Sequence, residues 1–199
     1  MDRYVPPTRI TFITHAATRE QRIGVFPADE ALDEPIVAKL AALDWIAPVV
    51  QQVWTGPEIR VRQTAVALNL NAIDAVALRE CDYGTWRGCA LEDLPSEDPS
   101  GITSWLTDVG AAPHGGESFR ELMTRVGRWL EEQRGTGHSI AITHASVVRA
   151  AIVHALNAPE EAFRRIEVAP LSITDLRLNG QHWYLRSVGT ALASNLSHL

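Results

Sequence analysis

The sequence contains few of the residues from which several kinds of site and scaffold are built. Among its 199 residues there are two cysteines, Cys81 and Cys89, and a single lysine, Lys39. Two cysteines supply neither a disulfide framework nor the spacing of a zinc site, so free thiols in a reducing compartment are expected. No apolar run has the length of a transmembrane helix, and residues 1–7 lack the apolar core of a signal peptide. Together these features predict a cytoplasmic protein.

Positive charge is also scarce. The 18 lysines and arginines are outnumbered by 24 aspartates and glutamates, which gives a formal net charge of −6. A nucleic acid or an anionic membrane would favour a basic face, so neither partner is expected. Any site for a small anion must therefore be built locally. With 46% hydrophobic and 21% charged residues, the chain otherwise has the composition of an ordinary globular domain.

A short apolar segment that ends in histidine occurs twice. Residues 10–14 read ITFIT and precede His15, and residues 139–143 read SIAIT and precede His144. Short runs of β-branched and apolar residues are typical of buried strands in a parallel sheet. Ligands of open α/β sheets bind at the carboxyl ends of such strands. The repeat therefore predicts that two histidines lie in one crevice.

Segments typical of strands and of helices alternate along most of the chain. The alternation predicts a three-layer α/β/α sandwich with a mostly parallel central sheet and an antiparallel edge. A stretch rich in Gly, Pro, Ser and Asp predicts a cap-like insertion at about 84–116, within a single domain spanning 1–199. The other predicted elements are strands at 49–55, 75–78, 166–168, 172–178 and 182–188, helices at 18–23, 36–43, 58–68, around Trp105, from Ser118, at 146–156 and from Pro159, a hairpin at Asn179-Gly180, and a loosely held tail after Thr190.

Four polar residues that come after four of the predicted strands have chemistry that suits phosphoryl transfer. A neutral imidazole nitrogen of His15 or His144 can attack phosphorus and divide hydrolysis into two steps. The guanidinium of Arg60 offers a fork of donors to phosphate oxygens. A carboxylic acid with a raised pKa at Glu80 can protonate the leaving oxygen. No clustered metal ligands are apparent, so neither a metal nor another cofactor is expected.

These residues fall in five short motifs that resemble those of the histidine phosphatase superfamily, the group that includes the cofactor-dependent phosphoglycerate mutases. The motifs follow the family's order between residues 10 and 156. No single motif is specific, but five in order are strong together. In this sequence they are Thr14-His15-Ala16, Gly56-Pro57-Glu58-Ile59-Arg60 followed by Thr64-Ala65, Glu80-Cys81-Asp82-Tyr83-Gly84, Gly115-Gly116-Glu117-Ser118 and Thr143-His144-Ala145.

The resemblance implies a role for each matched residue. His15 would be the nucleophile that forms a phosphohistidine. Arg60 and His144 would clamp the phosphate, and Glu80 would donate a proton to the leaving group. The further residues expected at the phosphate or the substrate are Thr14, Ala145, His114, Arg19 and Arg22.

The first motif departs from the family's Arg-His-Gly. Thr14 stands where the family has the arginine that binds phosphate beside the nucleophile. A threonine hydroxyl offers one donor and no charge. Losing two hydrogen bonds to a charged transition state would slow the reaction by roughly two to four decades. Arg19 or Arg22 would restore the charge if either side chain swung into the pocket.

Two functions from different classes therefore remain open. The leading one is phosphatase-like hydrolysis of a small phosphomonoester through phospho-His15. The alternative is a catalytically weak or inactive family member that binds an anionic ligand or a protein partner. A phosphoglycerate mutase is less favoured, because a mutase must reorient a small diacid in a pocket that is poor in cations here. A small phosphorylated or anionic ligand is the expected partner, and a homodimer is left open.

Overall fold

A computed structural model of the chain describes residues 7–192, which form a mixed sheet of six strands. The first four strands of the sequence pair with one another in parallel, whereas the last two run antiparallel at one edge. The predicted mostly parallel sheet with an antiparallel edge is therefore confirmed. The strands are β1 (Arg9–Thr14), β2 (Gln52–Thr55), β3 (Ile73–Asp74), β4 (His138–Thr143), β5 (Ser172–Asn179) and β6 (His182–Ala191), in the spatial order β3-β2-β4-β1-β5-β6.

Helices cover both faces of this sheet. Phe12 of β1 packs with the last two helices on one face, and its neighbour Ile13 packs with two earlier helices on the other. The three-layer α/β/α architecture is therefore confirmed. The helices are α1 (Arg19–Arg22), α2 (Glu34–Ala41), α3 (Ile59–Ala67), α4 (Leu94–Glu97), α5 (Pro99–Thr107), α6 (Phe119–Glu132) and α7 (Ala145–Ala155), with 3₁₀ helices at Val76–Leu78, Gly84–Trp86 and Glu160–Arg165.

The helix predicted from Ser118 has the clearest local cause. The Ser118 hydroxyl accepts a hydrogen bond from the Glu121 backbone N–H, and the Glu121 carboxylate accepts one from the Ser118 N–H. Leu122, Val126 and Leu130 recur at helical spacing and are fully buried against the sheet.

No helix between residues 7 and 192 is long and apolar enough to cross a bilayer.

The strand predicted at 75–78 is wrong. Ala75 N–H still donates to the Thr55 carbonyl at 2.8 Å, but Leu78 N–H then donates to the Ala75 carbonyl and closes a 3₁₀ turn. The turn buries Leu78 completely, and the Leu78 carbonyl accepts from the Thr143 hydroxyl at 2.7 Å. An apolar run of four residues has too little periodicity to distinguish a strand from such a turn.

Three further boundaries differ from the prediction. β2 begins at Gln52 rather than at residue 49. Residues 166–168, which were predicted to be a strand, are irregular and directly follow the 3₁₀ helix Glu160–Arg165. β6 continues to Ala191, so the part of the predicted loose tail after Leu192 lies outside the described residues, as do residues 1–6. The hairpin at Asn179-Gly180 joins β5 to β6, as its turn residues predict.

The stretch at about 84–116 contains α4 and α5 and has a small apolar cluster of its own. Phe26, from the loop after α1, packs in this cluster with Trp86, Leu94 and Ile102. The ring centroids of Phe26 and Trp86 are 5.5 Å apart. Contacts with Phe26 therefore join this stretch to the loop that follows α1. Its interpretation as a cap within one domain stays a prediction.

Candidate active site

The pairing of β1 with β4 brings His15 and His144 together. Thr14 lies opposite Thr143 in this parallel register, so each strand ends with a histidine at the same level of the sheet. His15 N–H donates to the Thr143 carbonyl at 2.9 Å. The two imidazole centroids are 5.0 Å apart. The repeated tetrapeptide thus produces a pair of facing imidazoles.

Arg60 connects these histidines to Glu80. It is the second residue of α3, and its side chain is 1% exposed. Its Nε lies 3.4 Å from His15 Nε2, and its Nη2 lies 3.4 Å from His144 Nδ1. The same Nη2 is 3.6 Å from Glu80 Oε2. One guanidinium therefore contacts the other three residues predicted to be catalytic.

His15 is held as a neutral imidazole whose lone pair is on Nε2. Its Nδ1 lies 2.7 Å from the Ala16 carbonyl oxygen, which can only accept, so Nδ1 carries the proton. Nε2 then presents its lone pair, towards which Arg60 donates. Burial, His144 and Arg60 lower the pKa of His15 to about 3. An unprotonated Nε2 at neutral pH is what a nucleophilic histidine requires.

His144 has the opposite charge state. Burial acts to lower its pKa, but Glu80 and Glu58 together outweigh burial and raise the pKa above the ordinary value. Its Nε2 lies 2.8 Å from Glu58 Oε2, and its Nδ1 lies 3.2 Å from Glu80 Oε2. A carboxylate at each nitrogen favours the imidazolium with both N–H groups donating. Sequence reasoning missed Glu58, although it stands two residues before Arg60.

Glu58→Gln is expected to lower the pKa of His144 by about one unit or more, because an amide keeps the contact but removes the negative charge. An NMR titration of the imidazole resonances measures this shift. Asp82→Asn is the matched control, because Asp82 lines the same cavity as Glu58 and does not contact His144. An unchanged His144 pKa in the Gln variant would contradict the assignment of Glu58 as the charge partner.

Glu80 follows a 3₁₀ helix rather than a strand, and it is ionised. Burial acts to raise the pKa of Glu80. His144, Arg60 and the Ser146 hydroxyl lower the pKa by more than burial raises it, so the pKa lies below its usual range. The Ser146 hydroxyl donates to Glu80 Oε1. The expectation of a raised pKa at Glu80 is therefore wrong for this arrangement of charges. A proton donor at this position must gain its proton when further negative charge arrives beside it.

The Thr14 hydroxyl is used within the protein. It donates to the Ala169 carbonyl at 2.6 Å and accepts from the Ser172 N–H at 3.0 Å. Thr14 is 1% exposed, and these bonds tie the end of β1 to the turn before β5. Because a hydroxyl has one proton to donate and the Ala169 carbonyl accepts it, Thr14 has no side-chain donor left for a phosphate.

Thr14→Val is expected to lower the free energy of unfolding by about 1–3 kcal/mol, because it removes the hydroxyl that accepts from the buried Ser172 N–H. Urea unfolding measures the change. Thr103→Val is a suitable control, because Thr103 is exposed on α5 and bonds only the carbonyl one turn back, at Pro99. Equal stability of the Thr14 variant and the wild type would contradict this role.

Two cavities open beside the cluster formed by His15, Arg60, Glu80 and His144. His15, Thr14 and Ala145 line one of about 290 Å³, and Arg60, Glu80 and Glu58 line another of about 230 Å³. The remaining residues of the first cavity are Ala17, Gln21, Arg22, Arg149, Val168 and Pro170. The sequence analysis did not predict Arg149 as a site residue, although it lies four residues after Ala145 and hence on the same face of α7.

The other predicted binding residues lie at different distances from this centre. Arg22 lines the His15 cavity, but its guanidinium lies 3.1 Å from the Asp33 carboxylate. Arg19 is exposed and lines neither cavity. His114 is buried with its ring centroid 5.1 Å from that of Trp86, and it also lines neither cavity. Of the predicted arginines on α1, the structure brings Arg22 alone to the His15 cavity.

His15, Glu80 and His144 also form a group with the spacing of a metal site. One ligand atom from each lies within 4.8 Å of the others. The expectation that the chain has no clustered metal ligands is therefore wrong for this group. However, Arg60 lies 3.4 Å from each imidazole and 3.6 Å from the carboxylate, which places a positive charge among the ligands. The positive charge of Arg60 at this position opposes the binding of a metal cation.

The sequence is similar to a known protein family over most of its length. Residues 36–191 match the family model of the histidine phosphatase superfamily, branch 1, a range that begins after Thr14-His15-Ala16. The bifunctional protein Rv2228c of Mycobacterium tuberculosis is 29% identical over 193 residues, which cover 87% of this chain and 52% of that protein. The chain thus spans about half the length of this mycobacterial relative.

Solved structures share the fold. The α-ribazole phosphatase of Shigella flexneri superposes with a TM-score of 0.79 at 21% identity, covering 94% of this chain and 99% of that one. The mycobacterial glucosyl-3-phosphoglycerate phosphatase Rv2419c superposes with a TM-score of 0.75 at 19% identity, covering 93% and 100%. The family resemblance drawn from the motifs is confirmed by the family model, which spans most of the sequence. The chain belongs to the histidine phosphatase superfamily.

Proposed function

We propose that this protein hydrolyses a small phosphomonoester through a phosphohistidine formed at Nε2 of His15. The observation that carries the proposal is the set of contacts made by two neighbouring imidazoles, which favours a different charge on each. His15 is neutral, with its proton fixed on Nδ1 by the Ala16 carbonyl. His144 is cationic between two carboxylates. A nucleophile beside a fixed cation is the arrangement that attack on an anionic phosphate needs.

The reaction then proceeds in two displacements. In the first, the Nε2 lone pair of His15 forms a bond to phosphorus while the bond from phosphorus to the ester oxygen breaks, and the leaving oxygen takes a proton from Glu80. In the second, water attacks phosphorus, the P–N bond breaks and returns its electron pair to Nε2, and Glu80 accepts a proton from the water. Arg60 lies next to both histidines and therefore next to the phosphoryl group when it is bound at His15. Its N–H donors then stabilise the charge that develops on the phosphoryl oxygens.

The proton on Glu80 arrives with the substrate. A phosphomonoester has a second pKa of about 6, so a fraction binds as the protonated monoanion near neutral pH. Its negative charge raises the pKa of Glu80, and its oxygens compete for the same donors on Arg60 and His144. Both effects favour transfer of the proton to Glu80.

The second cavity favours hydrolysis over a mutase reaction. Its arginines beyond the cluster are already paired, Arg79 with Glu117 at 3.1 Å and Arg87 with Asp82 at 2.9 Å. A mutase would need free cations there for the second anionic group of its substrate. The phosphatase names of the two solved relatives agree with this choice.

One observation favours the second candidate, a weak or inactive member that binds an anionic ligand or a protein partner. Thr14 replaces the family's arginine, and its hydroxyl is bound to the protein's own backbone. Without a substitute for that arginine, the site would bind phosphate weakly and stabilise the transition state poorly.

The test is to incubate the protein with p-nitrophenyl phosphate, follow release of nitrophenol, and quench in alkali to preserve any phosphohistidine. Hydrolysis that vanadate inhibits, together with an acid-labile phosphate mapped to the peptide containing His15, is expected. Mapping the phosphate to this chain excludes a contaminating phosphatase. Phosphate binding without hydrolysis would select the second candidate and overturn the first.

A further inference from the structure

We infer that Arg149, on α7, binds the transferred phosphoryl group and supplies the charge that Thr14 lacks. The inference rests on the proposed function, because it assigns a ligand to the cavity that His15 lines. Arg149 lies four residues after Ala145, and both line this cavity of about 290 Å³. Ala145 is the first residue of α7, and Arg149 lies one turn further along the same face of the helix.

The guanidinium of Arg149 has unused donor capacity. Its Nε–H is buried and has no hydrogen-bond acceptor within residues 7–192. A buried donor without a partner carries a desolvation penalty of about 1–3 kcal/mol. Such a group is expected where a ligand supplies the acceptor. Among the same residues, Arg60 Nη1 likewise has no hydrogen bond, so two arginines of the site each keep a buried donor free.

Charge balance explains why a further cation is needed. The cluster itself contains the cations Arg60 and His144. Three carboxylates lie within 3.6 Å of them, from Glu30, Glu58 and Glu80. The cluster alone therefore carries no excess of positive charge with which to attract a phosphate dianion. Arg149 adds that charge on the side where the His15 nucleophile lies.

Arg149 fits this role better than the arginines of α1. Arg22 lines the same cavity, but it is exposed and bound to Asp33 at 3.1 Å. An exposed guanidinium is solvated, so its attraction to an anion is weak and is screened by salt. Part of the lining of this cavity is apolar, from Val168, Pro170 and Ala17. Apolar walls reduce the local dielectric constant and strengthen the attraction between a guanidinium and a phosphate.

The experiment measures binding of inorganic phosphate and of vanadate by calorimetry in wild type, Arg149→Met, Arg149→Lys and Arg128→Met. Arg128 is the control because it is an exposed arginine on α6. The Met variant is expected to bind each anion about 10- to 100-fold more weakly. The Lys variant, which keeps the charge without the fork, is expected to lie between Met and wild type, and the control to match wild type.

Wild-type affinity in the Met variant, an equal loss in Arg128→Met, or no phosphate binding by the wild type would overturn the inference. Added guanidinium is expected to restore part of the affinity of the Met variant, which a purely structural role would not allow. Arg149→Gln replaces the Met variant if the latter does not fold. Binding is measured without turnover, so the two proposals fail separately. Loss of affinity in a protein that hydrolyses nothing would leave Arg149 assigned and overturn the proposed function.

Discussion

Replacing His15 with alanine is expected to lower kcat by at least about 10⁴-fold while leaving the chain folded and able to bind phosphate. The fall is large because the Nε2 lone pair of His15 forms the covalent intermediate, and the two-step path does not exist without it. Phosphate binding persists because Arg60 keeps its contacts with His144 and Glu80. Steady-state kinetics and calorimetry with phosphate measure the two effects.

Chemical rescue distinguishes a lost nucleophile from a disturbed fold. Imidazole added to the His15→Ala variant is expected to restore part of the turnover, because the substitution enlarges the cavity of about 290 Å³ beside the lost ring. His154→Ala is the matched control, because His154 is exposed and bonds Glu131. A His15→Ala variant with wild-type kcat would exclude a phosphohistidine at this residue.

The pH dependence adds an independent check on the same residue. Since the pKa of His15 is lowered from 6.5 to about 3, its protonation is not expected to reduce kcat/KM as the pH falls through 6.5. The effect on stability has a defined sign. Between pH 6.5 and about 3 the unfolded chain binds this proton and the folded chain does not, so the free energy of unfolding contributed by His15 falls as the pH falls. The Ala variant lacks this contribution.

Pattern in the sequence predicted the parts of this fold that repeat. ITFIT and SIAIT pair in register as β1 and β4, and the histidine after each strand is fixed by that register. Capping residues and apolar spacing placed α6. Periodicity failed at residues 75–78, where the segment was too short and a hydrogen bond from Thr143 to Leu78 decides the local structure.

The motifs predicted which residues meet, but not the contacts that depend on neighbours from distant parts of the chain. His15, Arg60, Glu80 and His144 meet as their order implied. The charge state of Glu80 depends on Ser146 and His144, which lie more than sixty residues away. The hydroxyl of Thr14 is bound by Ala169, at the far end of the sequence. No local pattern specifies such contacts, and the same holds for the unpaired donor of Arg149.

Arg60→Met is expected to lower kcat by about 10³-fold or more, because it removes a guanidinium that lies 3.4 Å from both histidines. It also changes the charge states of the site. Arg60 lowers the pKa of both His15 and Glu80, so both values are expected to rise in the variant. NMR titration of His15 measures the first shift, and steady-state kinetics measure the loss of turnover.

Stability is expected to fall as well, by about 3–5 kcal/mol, because the carboxylates of Glu30 and Glu80 lose a cation that lies within 3.6 Å and is 1% exposed. Arg62→Met controls for the loss of an arginine from α3. Arg62 is 51% exposed and pairs with Asp74, so its removal is expected to change stability by about 0.5 kcal/mol at most. An Arg60→Lys variant that folds with wild-type stability yet keeps the loss in kcat would assign the effect to the guanidinium fork. Equal kcat in the Arg60 and Arg62 variants would contradict a catalytic role, since only Arg60 touches the nucleophile.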